Sequence, residues 1–203
     1  MEASLDTPRK LEGEKAQRIV EAMRVCVGKR GAAGSTFDVV AREAGVSRGL
    51  LHYYFGSKER LMVEVVRTDC DARVAALEQQ LAGAGTVDEI VGVLVHTLES
   101  FVAEPDVQAV LYEMLSASRH SEEIRAELAG LYTRWRTKLA DALLEKERAG
   151  VVTLDAEPEA IASLLFGLGD GIGLQLISDP EWDSRAALEL GVRTARRLLG
   201  ASA

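Results

Sequence analysis

Cysteine, proline, histidine and aromatic residues are all scarce in this chain. The number and spacing of the cysteines and histidines exclude several kinds of fold and site. Two cysteines among 203 residues cannot staple a disulfide scaffold, and their spacing fits neither a metal site nor a redox motif. The three histidines are scattered along the chain, and no HExxH or CxxC pattern occurs. We therefore expect no catalytic residues, no metal site and no cofactor, and we do not expect an enzyme.

Signals for β-structure, secretion and membrane insertion are missing as well. No segment sustains apolar–polar alternation, and no Asn-Gly or Asp-Gly turn joins two β-rich runs. The N-terminal stretch MEASLDTPRKLEGEK lacks the apolar core of a secretory signal. No uninterrupted apolar run approaches the roughly 18 residues of a membrane span. We expect a cytoplasmic protein with no membrane partner.

Helical periodicity runs through the whole sequence and predicts an all-α fold. The four prolines all fall at gaps between apolar-periodic segments, where a helix ends or begins. About nine helices are expected, over approximately residues 14–31, 36–44, 47–54, 58–82, 86–103, 106–118, 121–150, 158–178 and 184–199. Residues 1–12 are expected to form a flexible arm.

Charge divides the chain unevenly. Residues 1–60 hold 11 Lys/Arg and 8 Asp/Glu, a net charge of +3, whereas residues 61–203 have a net charge of -11. The N-terminal part suits a polyanion, which would repel the remainder. The sequence thus predicts two tasks in one chain.

The stretch at residues 36–61 has the pattern of a helix-turn-helix. Ala41 is small where the second helix crosses the first, and Gly45 stands where the turn needs a positive φ. Ser47 is expected to cap the second helix. The apolar seam between the helices is expected to consist of Val40, Ala44, Val46, Leu51 and Tyr54.

A helix-turn-helix presents the start of its second helix to the major groove of DNA. Arg48 is expected to bond a guanine edge, with a phosphate or solvent as the alternative. Gly49 permits close backbone approach, and Lys58 is placed for the flanking phosphates. The candidate DNA-binding residues are Thr36, Ser47, Arg48, Gly49, His52, Tyr53 and Lys58.

Residues 36–61, TFDVVAREAGVSRGLLHYYFGSKERL, resemble the DNA-binding signature of TetR-type transcriptional regulators. The chain departs from the usual pattern at His52 and Tyr54, where Tyr and His are commoner. The resemblance is specific over about residues 14–62. The positions in register are Thr36, Phe37, Val40, Ala41, Ala44, Gly45, Val46, Ser47, Gly49, Phe55, Ser57, Lys58, Glu59 and Leu61.

The segment at residues 158–178 is apolar on more than one face, so it must be buried nearly all round. A chain of this size can bury one face internally and the other against a second copy. We expect a twofold homodimer joined through residues 158–178 and 184–199, which would read a palindrome. The candidate interface residues are Phe166, Gly169, Gly173, Ile177, Leu188 and Val192.

The TetR resemblance implies a helix-turn-helix domain at 13–57 and a ligand-binding and dimerisation domain at 58–203. It also implies an inducer site among the helices of residues 58–178. The candidate lining residues are Phe101, Met114, Trp135, Phe166 and Asp170, with His96, Tyr112, Tyr132 or Gln175 as further polar partners. Residues 164–180, LLFGLGDGIGLQLISDP, resemble the branch that includes choline-responsive regulators, from which no ligand is inferred.

The resulting hypothesis is a ligand-responsive transcriptional repressor. It would bind a palindromic operator in double-stranded DNA as a homodimer and be released by a small-molecule inducer. Two other classes of protein, an enzyme and an adaptor, remain as alternatives. An enzyme has little support, because the GLGDGIG stretch follows a helical run and lacks the Lys-Ser/Thr ending of a phosphate loop. An adaptor that uses its helix-turn-helix to bind protein would show no salt-sensitive binding to DNA.

Overall fold

The fold is described by a computed structural model over residues 13–200, and the expected arm at 1–12 lies outside this range. The described residues form nine α-helices and no strand, which confirms the all-α prediction. The helices are α1 Glu14–Gly34, α2 Phe37–Ala44, α3 Arg48–Phe55, α4 Lys58–Gly83, α5 Val87–Val102, α6 Pro105–Ala117, α7 Glu122–Arg148, α8 Pro158–Ser178 and α9 Arg185–Leu198.

Helix boundaries follow capping chemistry. Thr86 and Glu89 form a complete capping box at the start of α5. The Ser57 hydroxyl accepts from the Arg60 amide at 3.2 Å, and the Ser121 hydroxyl accepts from the Ile124 amide at 3.3 Å. These side chains lie directly before α5, α4 and α7 and satisfy amides in the first turn of each helix.

The cap predicted at Ser47 is only half right. Ser47 occupies the N-cap position of α3 with extended backbone, but its side chain makes no capping hydrogen bond. The residue is exposed.

Two glycines shape the N-terminal helices through positive φ. Gly45 follows α2 with φ 66°, and the Val46 amide donates to the Ala41 carbonyl at 2.9 Å. This left-handed cap confirms the predicted turn. Gly31 has φ 67° and kinks α1, whose last turn continues to Gly34. The chain therefore bends where the sequence predicted the end of the first helix.

The chain divides into two compact units. Among the described residues, unit 1 contains 13–69 together with Pro105–Leu128. Unit 2 contains Cys70–Glu104 and residues 129–200. Helices α4 and α7 each contribute residues to both units. The functional boundary expected at 57/58 stays a prediction.

Unit 1 is built on the packing of α6 against α1. The Glu113 carboxylate of α6 accepts from the Ala32 amide at 3.2 Å, just after the Gly31 kink. Gly28 allows the Asp106 carboxylate to lie directly against α1. The largest fully buried side chains of this unit are Ile19, Met23, Leu51, Leu61, Met114 and Ile124.

Unit 2 packs α5, α8 and α9 with the adjoining parts of α4 and α7. The Lys146 ammonium donates to the Ala82 and Ala84 carbonyls at 3.0 and 2.6 Å, closing the end of α4. The Thr153 amide donates to the Leu199 carbonyl at 3.1 Å. The fully buried large side chains of this unit are Leu81, Ile90, Leu139, Leu143, Ile161 and Leu199.

The sequence predicted that no segment is long and apolar enough to span a membrane, and α8 contradicts this prediction. Glycines and Asp170 break the run, yet an 18-residue window of α8 has a mean hydropathy of 1.6. By length and composition alone, the helix could cross a membrane or be covered by protein. Only 22% of that window is buried within the chain, and Leu164 and Leu174 are exposed.

Gly28→Ala tests the α1–α6 packing. An added Cβ would overlap the Asp106 carboxylate and its Cγ atom, so we expect the free energy of unfolding to fall by about 1–3 kcal/mol. Urea unfolding monitored by circular dichroism measures the change.

The matched control for this substitution is Gly92→Ala in α5, where an added Cβ meets nothing within 4 Å. It should raise stability by up to about 1 kcal/mol through helix propensity. Asp106→Ala removes the overlapping Cγ and oxygen atoms but keeps the Cβ atom at 3.0 Å, so it should restore part of the stability of the Gly28→Ala variant. Equal effects of the two glycine substitutions would show that the carboxylate does not occupy this space.

Candidate nucleic-acid interface

Helix α3 has one buried face and one bare face. Leu51 and Phe55 are 0% and 4% exposed and fix the helix to unit 1. The opposite side carries Arg48 and His52, both exposed, and Tyr53, which is 60% exposed. The structure thus places these three candidate DNA-binding residues together on an accessible surface.

Arg48 lies in a small polar network rather than extending freely into solvent. Its Nη1 atom donates to the Asp38 carboxylate, at 3.1 Å to Oδ2 and 3.4 Å to Oδ1. Its Nε atom donates to His52 Nε2 at 3.4 Å. The Arg48 and Asp38 side chains are 59% and 60% exposed, so the network lies on the open surface.

His52 is held on two further sides. Its Nδ1 atom is 3.4 Å from the Gly56 carbonyl oxygen, and its ring meets Phe37 edge-on with centroids 4.7 Å apart. A carbonyl only accepts, so this contact assigns the proton to Nδ1 and leaves Nε2 as the acceptor for Arg48. The two contacts of the imidazole are mutually consistent.

The remaining candidate DNA contacts occupy different surroundings. Thr36 and Ser47 are exposed at the N-termini of α2 and α3. Gly49 is exposed, and an added Cβ there would meet nothing within 4 Å, so the α3 backbone is open to close approach. The Lys58 ammonium is turned inward and donates to the Ala32 carbonyl at 3.0 Å. A phosphate contact by Lys58 stays a prediction.

Sequence reasoning missed Asp38 and Ala32. Asp38 was one acidic residue in the first turn of a helix, a position that favours carboxylates wherever they occur. Its pairing with Arg48, ten positions later, depends on the turn between the two helices. The Lys58–Ala32 contact likewise joins residues that no local pattern relates.

Residues 45–49, GVSRG, also match the GxSxG spacing of a hydrolase nucleophile. That motif places its serine on a turn between a strand and a helix. Here the preceding element is α2, and residues 13–200 contain no strand. The described residues also contain no group of three or more His, Cys, Asp or Glu side chains that could hold a metal.

The aromatic candidates for a ligand site fall into separate places. Trp135 and Phe166 of unit 2 form an edge-to-face pair with centroids 5.1 Å apart. Phe101, also in unit 2, lies under the Arg73 guanidinium at 5.7 Å. Met114 is buried in unit 1. Ligand binding by these four residues stays a prediction.

Asp170 is a carboxylic residue of α8 in unit 2, with Tyr132 as its hydrogen-bond partner. Burial of the carboxyl group raises its pKa above the ordinary value, although the residue as a whole keeps solvent contact. A hydrogen bond with Tyr132 opposes that rise. Partial desolvation therefore outweighs the hydrogen bond.

The other polar candidates are engaged or exposed elsewhere. His96 is exposed and lines an open groove of about 440 Å³ with residues of α4 and α5, among them Gly83 and Val93. The Gln175 amide donates to the Gly171 carbonyl within α8 at 3.0 Å. Tyr112 belongs to unit 1.

The candidate dimer residues lie on α8 and α9. Gly169, Ile177, Leu188 and Val192 are half-buried in the single chain, as is Phe166. Gly173 is buried inside unit 2, where an added Cβ would lie 3.3 Å from Leu98 of α5. Its small size thus serves the packing of α8 on α5. The large exposed apolar side chains of these two helices are Leu164, Leu174 and Leu190.

Two regions of the chain match described families. Residues 19–65 match the bacterial regulatory proteins of the tetR family. Residues 88–200 match the C-terminal region of BetI-type transcriptional repressors. Together these regions contain α2, α3 and most of the helices that follow.

Curated relatives agree with these matches. The HTH-type transcriptional regulator BetI of Rhizobium meliloti is 34% identical over 167 residues, covering 78% of this chain and 77% of the relative. BetI of Vibrio vulnificus is 29% identical over 175 residues, covering 81% of each.

Solved structures share the fold. The reduced form of Escherichia coli NemR superposes with a TM-score of 0.77 at 22% identity, covering 94% of this chain and 100% of that one. Bacillus subtilis FadR in complex with stearoyl-CoA gives 0.73 at 16% identity, covering 92% and 99%. At these identities the likeness establishes the fold alone. By its family matches and relatives, the chain belongs to the TetR family of helix-turn-helix transcriptional regulators, with a C-terminal region of the BetI type.

Proposed function

We propose that this chain is a ligand-responsive repressor of the bacterial cytoplasm. It binds a palindromic operator as a homodimer and leaves it when a small-molecule inducer binds. The observation that carries this proposal is the bare face of α3, on which Arg48, His52 and Tyr53 stand together and exposed. Repression is supported by the match of residues 88–200 to BetI-type repressors.

DNA is the polyanion that this surface suits best. The N-terminus of a helix presents backbone amides and a positive dipole end that suit a phosphate, and no side-chain cap from Ser47 covers this end of α3. Arg48 adjoins it and can bond a guanine edge through two donors. The N-terminal 60 residues have a net charge of +3 in a chain whose net charge is -8, so the favourable field is local to this end of the sequence.

A second copy of the chain is the proposed cover for α8 and α9. Leu164, Leu174 and Leu190 are 48%, 49% and 58% exposed, so covering each of them contributes about half of the 1.5–3 kcal/mol gained when an exposed leucine is fully buried. A membrane would cover such a helix too. The family match favours a protein partner, because a duplex-reading regulator gains its palindromic site from twofold pairing.

The proposed ligand site of unit 2 centres on Trp135 and Phe166, with Asp170 as its polar anchor. Aromatic faces and a carboxylate together favour a small organic cation, since both attract positive charge. One protein of the same fold is described in complex with stearoyl-CoA, which supports ligand binding by this architecture. Helix α4, with residues in both units, is the proposed route by which ligand binding changes the state of α3.

A mobility-shift titration at two salt concentrations tests the proposed function. A regulator that neutralises several phosphates binds duplex DNA with an affinity that falls by about 0.9 log units per contact for each log unit of salt. A protein-binding adaptor would show no such dependence. Absence of salt-sensitive binding would remove the repressor proposal.

Arg48→Ala should weaken operator binding by about 1–3 kcal/mol, because a guanine contact is lost. Thermal unfolding should change little, since Arg48 is 59% exposed. The control is Arg125→Ala, which removes the same charge from the exposed surface of α7. Unchanged operator affinity of the Arg48 variant, measured by fluorescence anisotropy, would show that another residue reads the base.

Leu190→Asp should convert the proposed dimer into a folded monomer, because it places a charge in an apolar interface. Sedimentation velocity at micromolar concentration measures the change. Leu115→Asp on α6, where the leucine is 37% exposed in unit 1, is the control and should remain dimeric. A parent protein that sediments as a monomer would contradict the proposed assembly.

Asp170→Asn should raise the free energy of unfolding at neutral pH. The folded pKa of Asp170 is raised, so the native state favours the protonated carboxyl. That contribution is fully present below the ordinary value of 3.8 and is lost as the pH rises through the folded pKa. The gain over the parent should therefore shrink on acidification and vanish below that value.

Urea unfolding of parent and Asp170→Asn across this pH range checks the sign. Asp141→Asn on α7 is the control, because it removes one negative charge from an exposed residue of the same unit. A destabilised Asp170→Asn variant at neutral pH would mean that the ionised carboxylate makes a net favourable interaction.

A further inference from the structure

We propose that Asp38 determines sequence specificity by orienting Arg48 for a base edge. It acts through Arg48 rather than by touching DNA itself, so it is a positioning residue. The proposal rests on the proposed function, in which Arg48 contacts DNA. The proposal adds Asp38, a residue of α2, to the group of residues that recognise DNA.

Two of the three guanidinium nitrogens of Arg48 donate hydrogen bonds within the chain. Nη1 donates to both carboxylate oxygens of Asp38, and Nε donates to His52 Nε2. A guanidinium has five N–H donors in a fixed plane. Contacts on two nitrogens therefore fix that plane, while the remaining donors are left to bond an acceptor on DNA.

The two supports come from different elements and brace the side chain from different sides. Asp38 belongs to the first turn of α2, and His52 to α3 itself. The imidazole is in turn set by the Gly56 carbonyl and the Phe37 ring. Arg48 is thus held relative to both helices of the motif.

A contribution to folding stability does not explain why Asp38 and Arg48 are paired. Both side chains are about three-fifths exposed, and ion pairs of this kind contribute little to folding. Orientation of the guanidinium is a better account. An unrestrained arginine reaches any nearby phosphate, whereas a planar fork held at a fixed angle discriminates a guanine edge from other bases.

The same contacts also define the opposite account. If Asp38 competes with DNA for Arg48, its removal strengthens operator binding. The two accounts predict opposite changes in discrimination, so one set of variants separates them.

The test compares Asp38→Asn with Glu43→Gln. Both substitutions remove one negative charge from α2, but Glu43 has no part in the network of Arg48 described above. Each variant is titrated against two duplexes: the operator that the parent selects from a random pool, and a scrambled duplex of the same composition. Dissociation constants are measured at two salt concentrations.

Asp38→Asn should lower the ratio of scrambled to operator dissociation constants roughly tenfold, a substantial part of what one base contact provides. The salt slope on the scrambled duplex should steepen by about 0.9, because the released Arg48 gains a phosphate. Glu43→Gln should strengthen binding to both duplexes alike and leave the ratio unchanged. In an Arg48→Ala background, Asp38→Asn should no longer alter the ratio.

Three results would overturn the proposal. Equal ratios in Asp38→Asn and Glu43→Gln would reduce Asp38 to one surface charge among others. A higher ratio in Asp38→Asn would identify Asp38 as a competitor of DNA. A parent that selects no duplex from the random pool would remove the proposed function and this inference together, an outcome distinct from the first two because it appears before any variant is made.

Discussion

An eight-residue helix cannot persist alone in water, and the recognition surface depends on that constraint. Isolated helices of this length are marginal at best, so α3 exists only while its inner face is buried. Leu51 and Phe55 provide that burial. The outer face, with Arg48 and Tyr53, stays exposed. Everything proposed for Arg48 and its neighbours follows from this division of one short helix.

The surroundings of α3 extend beyond the N-terminal helices. Glu113 of α6 holds the Ala32 amide, and Lys58 of α4 holds the Ala32 carbonyl. Both polar groups of one peptide segment, directly after the Gly31 kink, are thus fixed from different helices. The joint between α1 and α2 is therefore sensitive to any movement of α6 or α4 within unit 1. This arrangement gives a physical basis for coupling α3 to distant parts of the chain.

Sequence alone predicted the elements well because their ends depend on local chemistry. Gly45, the Thr86–Glu89 capping box and Pro158 each mark a boundary by their own backbone or side-chain preferences. The exposed face of α3 followed from helical spacing in the same way. Long-range pairs did not. The contacts of Asp38 with Arg48 and of Gly28 with Asp106 depend on how helices pack, which periodicity does not encode.

In the proposed function, two copies of α3, each with a bare outer face, read one duplex. Selection of bound oligonucleotides from a random pool tests it most directly, because the sequence logo reports the bases, the symmetry and the spacing at once. The account predicts a palindrome with half-sites about one helical turn apart, or a multiple of it. Enrichment of an asymmetric site, or of no sequence at all, would contradict it.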